Sequence, residues 1–102
     1  MASYTIRPIA EQDLDEYALY IAKDKLDVAL RLYEAAEKTY QNLAEFPDMG
    51  EKYISSSPLL SGIQFFPIKG FKRYLVFYQT TQDGIEIIRI INKSRKIKNI
   101  LK

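Results

Sequence analysis

The apolar positions change rhythm near the middle of the chain. Ala10, Leu14, Tyr17, Ala18 and Ile21 recur at spacings of four, three, one and three, which lines one face of a helix. Asp13, Asp15, Glu16 and Lys23 fall mostly on the opposite side. Pro8 suits the first turn of that helix, and the short β-rich Tyr4-Thr5-Ile6 before it reads as an opening strand. Ala29, Tyr33, Ala36, Tyr40 and Leu43 then step by four, three, four and three, predicting a second amphipathic helix that ends before Pro47 and Gly50. Asp24 is placed to cap it, since a carboxylate can accept from the free amides of a first turn. The short connection implies an antiparallel helical hairpin.

Beyond residue 60 the helical period gives way to β-branched and aromatic runs of strand length. These are Ile63-Gln64-Phe65-Phe66-Pro67-Ile68, Tyr74-Leu75-Val76-Phe77-Tyr78 and Ile85 to Ile91. Asp83-Gly84, between the last two runs, is a hairpin turn signal. Ser55-Ser56-Ser57-Pro58 reads as a surface loop joining helices to sheet. Ile97, Ile100 and Leu101 share one side of a short last helix or ordered tail. The predicted order is β-α-α-β-β-β, with the helices on one face of an antiparallel sheet: a single α+β domain over residues 1–102.

Composition removes several kinds of chemistry. The chain has no cysteine, so disulfides, thiolate metal clusters and thiol nucleophiles are absent, and it has no histidine. No signal peptide is visible in Met-Ala-Ser-Tyr-Thr-Ile-Arg, and no apolar run approaches the roughly 20 residues of a membrane span. No phosphate-cradling glycine motif or nucleophilic triad is present, and no cofactor or metal is expected. The net charge of +2 hides a strong polarity. Residues 1–51 hold eleven acids and five bases, a balance of −6; residues 52–102 hold ten bases against Asp83 and Glu86, a balance of +8. After Glu86 only bases appear: Arg89, Lys93, Arg95, Lys96, Lys98 and Lys102. Such a stretch suits a phosphate backbone or an acidic protein partner; it also fits a solvated basic tail.

Four segments between about residues 4 and 95 resemble the RelE/ParE toxin superfamily, and its ParE-like branch in particular. They are Ala10 to Glu16 followed by Tyr20-Ile21-Ala22; Leu43 to Gly50; Gly62 to Ile68; and Tyr74 to Tyr78 with Asp83 to Ile91 and Arg95. Three positions depart from the family pattern. Arg7 stands where a serine cap is common, Gln64 where an arginine often precedes the aromatic pair, and Asn92 where many members carry histidine. The resemblance implies a toxin of a type II toxin–antitoxin system in the bacterial cytoplasm, held by a cognate antitoxin in a hetero-oligomer.

Within that superfamily two modes of action are expected. A RelE-like ribosome-dependent mRNA endonuclease needs a base, an acid and cations for the developing phosphorane charge. The resemblance points to Arg73, Tyr78 and Arg89 for those roles. Losing the imidazole at Asn92 removes the side chain best suited to acid–base work near neutral pH. For Arg89, period-two alternation predicts a place on one strand face with Ile85, Ile87 and Ile91, either as a functional cation or tied to a carboxylate. For Tyr78 the competing role is core packing. A ParE-like gyrase inhibitor needs only a surface, and Arg89, Lys93, Arg95, Lys96 and Lys98 with Lys102 supply one. A non-toxic member that only binds its partner is the third reading. Both alternating sets of Tyr74–Tyr78 and Ile85–Ile91 are apolar, so the sheet face away from the helices is expected to want a cover. An antitoxin segment over Tyr74, Val76, Tyr78 and Arg89 is the favoured cover, and the chain's own tail the alternative.

Overall fold

The computed structural model describes residues 3–101. Strand β1 (Ser3–Ile6) leads into helices α1 (Pro8–Ala22) and α2 (Leu26–Glu45), and strands β2 (Glu51–Lys52), β3 (Gln64–Ile68), β4 (Phe71–Thr80) and β5 (Gly84–Asn92) precede a one-turn helix α3 (Ile97–Ile100). The five strands form one mixed sheet in the order β1-β5-β4-β3-β2. β2 to β5 pair antiparallel, whereas β1 pairs parallel to the first half of β5, Tyr4 opposite Ile85 and Ile6 opposite Ile87. The α+β class and element order agree with the sequence reading. The parallel edge and the two-residue β2 are additions.

Pro8 stands in the first turn of α1 as predicted. The cap of α2 does not follow the prediction: its N-cap is Lys25, and Asp24 makes no capping bond. The Asp24 and Lys25 amides both donate to the Ile21 carbonyl, so Asp24 belongs to the turn that closes α1. α1 and α2 press Ala10, Leu14, Ala18, Ala36 and Leu43 onto one sheet face, where Val76, Tyr78, Ile85, Ile87 and Ile90 meet them. Full burial of such side chains is worth about 1.5–3 kcal/mol each for the larger ones.

The second sheet face is covered by the chain itself, which corrects the expectation of a partner there. Leu75, Phe77, Ile88 and Ile91 pack with Ile63 and with Leu101 at the end of α3, flanked by Tyr53, Phe65, Ile97 and Ile100. The tail is short, but three apolar residues on one side suffice because the 53–63 loop closes the rest of the face. Val76 and Tyr78 lie on the opposite face, fully buried under the helices, and offer no surface to a partner in this conformation.

Candidate functional site: the basic end of the sheet

Arg89 owes its position to a break in the strand alternation. Tyr78 pairs with Ile87 but Phe77 pairs with Arg89, so Ile88 is the extra residue of a β-bulge. Past the bulge the faces exchange: Ile90 joins Ile85 and Ile87 beneath the helices, while Ile91 joins Ile88 on the other side. The uniform row of Ile85, Ile87, Arg89 and Ile91 expected from period two is thereby corrected. Beyond Ile87, β5 has no strand on its β1 side, since β1 ends at Ile6. α1 fills that edge with side chains. The Ile90 amide donates to the Asp13 carboxylate at 3.0 Å, and the Asn92 amide donates to the Tyr17 hydroxyl at 2.9 Å.

Asp13 completes this edge by holding Arg89. The guanidinium donates from Nε to Oδ2 at 2.8 Å and from Nη2 to Oδ1 at 2.9 Å, a two-pronged pair. The Asp13 hydrogen bonds push the Arg89 pKa up further, so its charge is permanent and satisfied. Asp13, expected on the solvent side of α1, is instead 8% exposed. Of the two roles open to Arg89, the structure shows the carboxylate-tied one.

Tyr78 is likewise engaged. Its hydroxyl donates to the Pro47 carbonyl at 2.6 Å and accepts from the Gly50 amide at 2.9 Å. Gln64 donates to the Pro47 and Gly50 carbonyls at 3.2 Å each, so the turn after α2 is pinned from two strands. Gly50 is required by this close approach, because a Cβ there would run into the Tyr78 ring and hydroxyl. Burial raises the Tyr78 pKa, and nearby Asp48 adds to the rise, so the phenol stays protonated. Arg73 is exposed near the start of β4. At about 3.3 Å per residue, the five steps to Tyr78 separate them by roughly 16 Å. Arg73 is thus not brought to Tyr78, and Arg89, paired opposite Phe77, turns to Asp13 while the Tyr78 hydroxyl turns to Pro47 and Gly50.

What does converge is charge. The Lys93 amide donates to the Arg73 carbonyl at 2.8 Å, joining the start of β4 to the residues after β5. Arg73, Lys93, Arg95, Lys96 and Lys98 are exposed, and none is in an ion pair among the described residues. Lys69 and Lys72, in and just after the β3–β4 turn, are exposed at the same end. They were missed because nothing local in the sequence ties them to the tail; only strand pairing does. Half-buried Tyr74 stacks on Tyr17 beside this surface, with ring centroids 4.7 Å apart. Lys102 lies outside the described residues.

A family model for the ParE toxin of type II toxin-antitoxin system, parDE, matches residues 4–97. The chain belongs to the ParE toxin family. It is a ParE-like toxin of the type II toxin–antitoxin class. A solved structure from a chromosomal ParDE toxin–antitoxin system of P. aeruginosa is similar to this toxin, with a TM-score of 0.72 at 18% identity. The match covers 90% of this chain and 96% of that chain, and at such identity it speaks for the fold. No curated protein sequence matches significantly. Among the described residues of the toxin, no helix is long and apolar enough to cross a membrane.

Proposed function

We propose that this ParE-family toxin acts in the bacterial cytoplasm by protein contact on DNA gyrase, without bond-making chemistry of its own, and is neutralised by a cognate antitoxin. The observation that carries this reading is the division of labour among its cations. Arg89 and Tyr78, the best candidates for ribonuclease roles, are consumed by Asp13 and by the Pro47–Gly50 turn. Arg73, Lys93, Arg95 and Lys96, with Lys69 and Lys72, are left exposed where β4 begins and β5 finishes, and Lys98 on α3 is exposed as well. A surface of that kind binds by charge complementarity and speeds encounter with an acidic partner.

An acidic antitoxin segment laid over the same lysines and arginines, and over Tyr74 at their margin, would block the target by occupying its site. The name of the P. aeruginosa relative, a ParDE system, supports a toxin–antitoxin pairing of this kind. The test follows both candidate targets at once: supercoiling by purified gyrase, and integrity of ribosome-bound mRNA, each with added toxin. Lost supercoiling with intact mRNA supports the reading. Cleaved mRNA with untouched gyrase overturns it in favour of the endonuclease, and no effect on either points to a member that only binds its partner.

A further inference from the structure

A second site lies on the β1 side of the molecule. A cavity of about 300 Å³ opens between β1, α1 and α2, lined by Tyr4, Tyr33, Tyr40, Glu11, Asp15 and Glu37 above the apolar side chains of Ile6 and Leu14. No basic residue lines it. The Tyr4 and Tyr40 rings pack on each other, 5.5 Å apart and 57° to one another; Tyr40 is buried at the cavity floor, so Tyr4 and Tyr33 are the rings an incoming group can meet. Tyr33 is fixed across the helical hairpin by donating to the Asp15 carboxylate at 2.6 Å.

The lining has the electrostatics of a cation site. All three phenols stay neutral. The Asp15 hydrogen bond, aided by burial, pushes Tyr33 up to about 12; burial raises Tyr40, with Tyr4 and Glu11 adding to the rise. Burial and then Glu37 raise Tyr4. The rings therefore contribute negative faces beside the carboxylates, both favourable to a cation. Glu11 and Asp15 lie one helical turn apart, a like-charge spacing that destabilises a helix when unrelieved. Among the described residues Glu11 and Glu37 have neither an ion pair nor a side-chain hydrogen bond. An anion would be repelled, and an apolar group would strip water from carboxylates without replacing it.

The form of the cation follows from size and geometry. The mix of ring faces and separate carboxylates suits an organic cation, and no three carboxylates among the described residues are placed to hold a metal ion. The volume stands at the bottom of the roughly 300–1,000 Å³ range of small-molecule pockets, suited to one side chain. A planar guanidinium can stack on a ring face and fork to a carboxylate together, which an ammonium cannot. Glu11, Asp15 and Glu37 are exposed, so a side chain carried on another surface can reach them. We propose that this tyrosine–carboxylate cavity receives an arginine side chain presented by a protein partner. The site uses none of the residues assigned to gyrase contact, so either reading can fail without the other.

The probe is a short acetylated and amidated peptide with one central arginine, titrated into the isotope-labelled full chain and followed by NMR. Amide and ring shifts should localise to residues 4–15 and 33–40. The same peptide with citrulline, which keeps the shape and loses the charge, should bind about tenfold more weakly, as expected for losing a charge-assisted contact. Free arginine, which has the same net charge but lacks the flanking peptide and its contacts, should also bind more weakly than the capped peptide; tighter binding would overturn the protein-borne source. Glu37→Gln alone and Glu11→Gln with Glu37→Gln should weaken binding in steps while the rest of the spectrum is unchanged. Equal binding of the citrulline peptide, or indifference to both variants, would overturn the proposal.

Discussion

Arg89 and the Arg73–Lys93 corner belong to the same basic half of the chain but have opposite fates. Arg89 sits past a β-bulge where α1 stands in for a missing strand, and Asp13 takes both prongs of its guanidinium. A few residues away, Arg73, Lys93, Arg95 and Lys96 face water with no carboxylate paired to them among the described residues. The difference is made by the sheet edge. Where β5 lacks a neighbour, α1 must supply acceptors, and a cation is drawn in with them. Past the strand's end nothing draws the lysines inward. Cations counted alike in a net charge thus divide into one that holds the fold and a set free to meet a partner.

The sharpest way to break this contrast is to remove Asp13. With side chains 11% and 23% exposed, Asp13 and Arg89 are buried enough for the loss of one partner to strand the other. Asp13→Ala also orphans the Ile90 amide. Urea unfolding should show a loss of about 3–5 kcal/mol; a loss under about 1 kcal/mol would place Arg89 with the exposed cations. Tyr78→Phe should cost less, about 1–2 kcal/mol in the same assay, by unsatisfying the Gly50 amide. Reversing Lys93, Arg95 and Lys96 to glutamate should move stability by under about 0.5 kcal/mol per site, as for surface positions without partners. A larger drop would mean that the exposed set is also structural.

A further small effect, confined to acid pH, belongs to Arg7 and Glu86, an edge pair at 3.1 Å with Arg7 44% exposed. The Arg7 hydrogen bond, and then Gln79, hold the Glu86 carboxyl below its usual range. A lowered folded pKa means that this stabilisation is complete above the ordinary carboxylate range and is lost as pH falls toward the folded value. Arg7→Ala should flatten that part of the acid-side stability profile, by no more than about 1 kcal/mol. Unfolding curves from neutral to acid pH measure it.

The helical hairpin and the three long strands were legible because apolar spacing and turn residues such as Asp83-Gly84 act locally. The buried role of Asp13 was not legible, because an acid on the polar side of a periodic pattern looks solvated until a strand edge is set beside it. Arg89 was misplaced for a related reason. One extra residue at Ile88 reverses a face, and an unbroken run of isoleucines carries no mark of it. Val76 and Tyr78 read as a partner surface because both strand faces are apolar, and the three apolar tail residues looked too few to cover one. The tail lysines were legible in sequence as an exposed basic stretch; Lys69 and Lys72 joined them only through the pairing of β3, β4 and β5.

The claim that the exposed cations, and not Arg89 or Tyr78, carry the toxin's action is tested most directly by gyrase supercoiling with the native chain and the Lys93→Glu, Arg95→Glu, Lys96→Glu variant. The native chain should block supercoiling, and the variant, folded to nearly the same stability, should need about tenfold more protein or more to do so, the effect of losing about 1.4 kcal/mol of binding. Equal inhibition by both proteins, or ribosome-bound mRNA cut while gyrase is untouched, would contradict the account.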